Sequence, residues 1–160
     1  MTEFIPPTIL DLLAILHPTS LGAGSPNPAA GERLHELDAA GLMNPLAVRD
    51  EMMARACLVG LWLRFDFLDE SHKLSQEIET PTGSFWHAIM HRREGDFGNS
   101  KYWWRRVGQH PALIDDPFAF SDAVEAFVTR GDGDRAALEA TQEREWQTLF
   151  GYCMRRAAGD

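Results

Sequence analysis

The residues best suited to chemistry lie in "SFWHAIMHRRE", residues 84–94. At 100° per residue, His87, Met90, His91 and Glu94 fall on one helix face, with the two imidazoles one turn apart and the carboxylate a turn further on. Neutral imidazoles at i and i+4 can both ligate one divalent metal. A carboxylate at i+7 can complete or orient the set. His87, His91 and Glu94 are therefore the candidate metal ligands. The pattern lacks the internal Glu of the HExxH motif, and a His pair holding two helices in register explains the same spacing.

A second set surrounds it. The segment 80–111 is rich in His, Arg and aromatic residues, and residues 91–110 carry Arg92, Arg93, Lys101, Arg105 and Arg106 against Glu94 and Asp96, +3 locally in a chain of net charge -9. An acidic chain is unsuited to general nucleic-acid binding, whereas a small basic island attracts an anionic small molecule or an acidic protein segment. The alternative is a network in which these Arg residues pair with neighbouring acids. The candidate groove consists of His72, Trp86, His87, His91, Arg92, Asn99, Tyr102, Trp103, Arg105 and Arg106. No residue is singled out as catalytic.

The elements that position these residues read as helices throughout. β-branched alternation is absent, and 160 residues at 44% hydrophobic fit one all-α domain. The sequence predicts a helix over 8–16, a Pro/Gly/Ser-rich loop that either packs as a lid or stays mobile, and a short helix over 32–39. A long helix is expected from the Asn44-Pro45 cap to about residue 63, and C-terminal helices occupy about 121–157, with Ser121 and Asp134 as starts. Asp115 and Asp116 read as loop and cap, and Asn99 as the cap of its helix. Cys57 and Cys153 stand far apart outside any ligand spacing, and Cys57 lies in an apolar run, so neither a disulfide framework nor a thiol nucleophile is expected. No membrane segment is read, and a cytoplasmic location is expected.

Sliding the chain by 30 residues aligns Asp66-Phe67 with Asp96-Phe97, Leu74 with Trp104 and Pro81 with Pro111. In "GDFGNSKYWWRRVGQHP" the spacing of Gly95, Phe97, Ser100, Trp104, Val107 and Pro111 resembles the second half of a tetratricopeptide repeat. That resemblance implies two helical hairpins over about 50–111, with Asp69, His72 and Gln76 in one row and Asn99, Tyr102 and Arg106 in the next. The block from His91 to Asp96, with Asn99, Lys101 to Trp103 and Arg105 to Pro111, also resembles uncharacterised bacterial and fungal proteins, which implies no activity. A His pair followed by Arg on one helix is similar to the DNA-damage-inducible four-helix-bundle family, whose metal site has three histidines. The turn at Gly95 to Gly98 departs from that family's continuous helix. Two functions follow as expectations: a groove for an anionic small molecule or acidic peptide, and a small metal-dependent hydrolase or transferase with His72 as a further ligand or general base.

Overall fold

Side-chain oxygens and prolines set the helix starts. The computed structural model describes residues 4–160, and its helices are α1 (Pro7–Leu13), α2 (Pro28–His35), α3 (Ala39–Met43), α4 (Glu51–Arg64), α5 (Leu68–Gln76), α6 (Pro81–Glu94), α7 (Phe97–Val107), α8 (Pro117–Arg130) and α9 (Arg135–Ala158). No strand occurs among the described residues, so the chain is all-α. Pro7, Pro28, Pro81 and Pro117 occupy first-turn positions that need no amide, and Asp50, Thr80, Asp96, Asp116 and Asp134 accept first-turn amides. No described helix is long and apolar enough to cross a membrane.

Several boundaries differ from the sequence expectation. The first helix stops at Leu13, and the second begins at Pro28, where the Asn27 side chain accepts the Ala30 amide at 3.2 Å. Asn44-Pro45 does not open the long helix. Asp50 does, by accepting the Met53 amide at 3.1 Å, while the preceding Arg49 amide is tied to the Ala157 carbonyl at 2.8 Å. Helix α8 starts behind Asp116, and Ser121 lies inside it, donating to the Pro117 carbonyl at 2.8 Å.

Helix α4 is buried around most of its circumference, packing on α3, α5, α6 and α9. Such a helix needs apolar residues all round, and Cys57, Val59, Leu61 and Leu63 supply them. Gly60 permits the close approach of α6: a Cβ there would stand 2.7 Å from the Trp86 ring. Trp86 is fully buried against Trp146, so it belongs to the core and not to the groove expected from the sequence. Burial pushes both thiols up, that of Cys153 to about 12, which makes them poor nucleophiles.

Helix α6 is unusual because every residue from Thr82 to Arg93 is buried, polar ones included. Its two arginines pair with distant partners, while its histidines meet each other and α5. The turns leaving α4 and α6 repeat: Asp66 and Gly95 both have positive φ (67° and 86°), and the Ser71 and Ser100 hydroxyls donate to the Val59 and Ala88 carbonyls. These equivalences are 29 residues apart, one fewer than the sequence register.

His110 closes the far end of α6. Its Nδ1 accepts the Ala112 amide at 3.1 Å and its Nε2 meets the Thr82 hydroxyl at 3.0 Å, while Phe85 and Tyr152 cover its ring. Burial lowers its pKa, and protonation would also abolish the Nδ1 acceptor. The unfolded chain therefore binds this proton more readily, and stability should fall as pH drops below about 6.5, the ordinary histidine value. A His110→Gln variant should show a shallower loss of urea midpoint between about pH 6.5 and 5 than the parent chain. Identical slopes would count against a buried neutral His110.

Candidate metal centre and adjoining groove

Three imidazoles converge where α5 crosses α6. His87 and His91 stack one turn apart on α6, with centroids 4.8 Å apart, and His72 from α5 meets them edge-on at 4.7 Å and 5.3 Å. One ring nitrogen from each lies within 4.8 Å of the others. A tetrahedral zinc site with bonds of about 2.0–2.1 Å places its ligand atoms roughly 3.4 Å apart, so modest χ adjustments, easiest at half-buried His72, would bring these nitrogens to bonding positions.

Partners fix the rings. Glu94 Oε1 lies 2.6 Å from His91 Nδ1, an arrangement that holds the proton on Nδ1 and leaves Nε2 as the lone-pair atom. Trp103 of α7 stacks on His87 at 3.9 Å with the planes 16° apart. Burial is the main reason His87 is pushed down to about 3, with His91 and His72 adding to it, and burial followed by His91 lowers His72. Neutral imidazoles are the form that binds metals. Gln76 Nε2 lies 2.9 Å from His72 Nε2, and Asn99 Nδ2 lies 3.2 Å from His91 Nε2. Asn99 is free for this contact because Asp96, and not Asn99, caps α7 by accepting the Asn99 amide at 3.1 Å.

The structure therefore brings together His72, His87, His91, Asn99 and Trp103, with Glu94 behind His91. Arg106 sits over the Trp103 and Tyr102 rings at 5.3 and 5.9 Å, and Tyr102 is exposed at the edge. Trp104 is buried against Phe85. Arg92 points away from the groove and is fully buried, with both terminal nitrogens on Glu145 at 3.1 and 2.6 Å. Arg93 pairs with Asp66, and Lys101 with Asp122. The basic island is thus largely neutralised. Among the described residues, Arg105 and Arg106 are its members without a carboxylate partner.

His91, Glu94 and Asp96 form a second donor group, but Asp96 is engaged as the α7 cap and Glu94 with His91. Asp69, placed by the repeat pattern in the same row as His72, lines a separate shallow depression with Glu70 and Glu94. A groove of about 620 Å3 lies next to this cluster, bounded by Gln76, which contacts His72, by Trp103, which stacks on His87, and by Glu79, Thr80, Ser84 and Arg106; the histidines themselves do not line it. Glu79, Thr80 and Ser84 went unnoticed in the sequence. The Thr80-Pro81 cap signal marks the helix start there but does not show which face is open. No protein-family model matches the chain, and neither the curated proteins nor the solved structures contain a match to it.

Proposed function

We propose that this chain holds a divalent transition metal, zinc first, on His72, His87 and His91 and works as a small metal-dependent hydrolase. The supporting observation is the convergence of three imidazoles from two helices, one oriented by a carboxylate. Three nitrogen ligands leave a fourth position, and a metal bound there would act as a Lewis acid and activate water at neutral pH. The chain's own residues prepare that position. Glu94 sets the tautomer and direction of His91, Trp103 holds the plane of His87, and burial keeps His87 unprotonated. His72 is the ligand nearest solvent, beside the groove through which a substrate would enter.

A second reading is favoured by Gln76 and Asn99, whose amide nitrogens lie against the ring nitrogens that metal binding would use. In that reading the histidines are a hydrogen-bonded cluster behind a repeat-like groove for an anionic small molecule or acidic peptide, with no catalysis.

Elemental analysis of untagged protein separates the two. The metal reading expects about one zinc, iron or nickel ion per folded chain, retained through dialysis and lost in His87→Ala/His91→Ala. It also expects that His72→Ala weakens retention without changing the helix content. Protein that stays metal-free after incubation with each of these ions would overturn it.

A further inference from the structure

The groove beside the histidines has the size of a small-molecule site, which typically spans about 300–1,000 Å3. Its charge is sparse and directional. Arg106 is exposed, lies over the Tyr102 and Trp103 rings and makes no hydrogen bond or ion pair among the described residues, so its guanidinium donors remain available to an anion. Glu79 is the acid on the lining and makes no ion pair among the described residues. A groove with one such cation and one such acid suits a ligand with a single anionic group, and disfavours a polyanion or an acidic peptide.

Two other features describe the rest of the ligand. Trp103 offers an indole in the wall, stacked on His87 and approached by the Tyr102 ring and the Arg106 guanidinium. Ser84 of α6 lines the groove with a hydroxyl that makes no hydrogen bond among the described residues and is open to solvent.

We infer that this groove binds a small planar molecule bearing one anionic group, of the aryl phosphate or aryl carboxylate class, with the anion on Arg106 and the ring on the indole of Trp103. Arg106 turns from the indole to meet the anion, and the ligand's ring packs against the indole. The Ser84 hydroxyl bonds a polar substituent at the other end. As the substrate class of the proposed metal site, this inference rests on the metal reading. As a binding site it can be tested by itself.

The test is isothermal titration of the full chain with phenyl phosphate, benzoate, inorganic phosphate and oligoglutamate, run on chelator-treated and on zinc-incubated protein, with metal content measured in parallel. Phenyl phosphate or benzoate should bind both preparations, and more tightly than inorganic phosphate, which has no ring. Arg106→Ala should weaken that binding roughly tenfold or more at unchanged metal content and unchanged thermal midpoint. Arg106→Lys should recover part of it, and Ser84→Ala should leave aryl anions without further substituents unaffected. Binding of the aryl anions by a protein that takes up no metal would overturn the metal reading and leave the groove assignment standing. Metal uptake without aryl-anion binding, tighter binding of oligoglutamate, or equal affinity in Arg106→Ala would each overturn the groove assignment.

Discussion

Glu145→Ala should destabilise the fold by about 3–5 kcal/mol, because it strands a cation inside the protein. Arg92 has no exposed surface; its two terminal nitrogens reach Glu145 at 3.1 and 2.6 Å, one of them also approaches Gln142 at 3.4 Å, and Phe120 lies 4.5 Å from the guanidinium carbon. Its Nε has no hydrogen-bond partner among the described residues, so the ion pair is already imperfectly satisfied. Removing the carboxylate leaves the guanidinium neither solvated nor paired. A double Arg92→Met/Glu145→Leu variant should recover most of the loss, since an apolar pair of similar volume avoids desolvating either charge. Urea denaturation of the three proteins checks this. A Glu145→Ala midpoint close to that of the parent would mean that water reaches Arg92 and that the pair is not buried as described.

That ion pair lies on the α9 side of α6, away from the histidines. It fastens α6 to α9 through the residue immediately after His91, while Trp103 and Asn99 hold the opposite side of α6 from α7. The double variant should therefore retain whatever metal the parent retains, because Arg92 has no contact with the imidazoles.

Local signals carried much of this structure. The Asp134 cap, the absence of strand patterning and the one-turn spacing of His87 and His91 depend on near neighbours, and they are legible in one dimension. The third histidine was only partly so. The repeat pattern set His72, Gln76 and Asp69 in one row; His72 and Gln76 meet beside α6, while Asp69 lines a depression with Glu70 and Glu94, near enough to His72 for its charge to act on that ring. Arg92 was misread because its partner lies 53 positions later, on α9. Nothing within a helical turn distinguishes a cation that faces a groove from one that crosses the core. Trp86 was misread for a similar reason: α6 is buried on every side, and its polar residues hide that fact from a hydrophobic periodicity. The Asn44-Pro45 start failed because a competing cap, Asp50, was strengthened by a backbone contact to Ala157 that only the tertiary fold supplies.

Asp66 is the other point where one substitution should have a large effect. It sits in the turn between α4 and α5 at φ 67°, a conformation that non-glycine residues adopt at some cost, and it is almost wholly buried. Its carboxylate pairs with Arg93, meets His17 Nε2 at 2.7 Å and accepts the Ser25 amide at 3.0 Å. Arg93 in turn donates to the Gly22 carbonyl at 2.7 Å, and Gln142 donates to that of Ser20 at 2.7 Å. The long loop between α1 and α2 is therefore pinned by polar bonds that converge on Asp66 and Arg93. Burial lowers the Arg93 pKa and the Asp66 charge opposes that shift, so the cation depends on its carboxylate. Asp66→Ala should lose about 3–5 kcal/mol and should also release the loop, seen as faster proteolysis and amide exchange across residues 17–27. Asp66→Gly relieves the backbone strain but removes the same charge. If the carboxylate is what matters, Gly should rescue only the fraction owed to φ, on the order of 1 kcal/mol. Full recovery in Asp66→Gly would show instead that the turn geometry holds the loop and that the buried Arg93 pair contributes little.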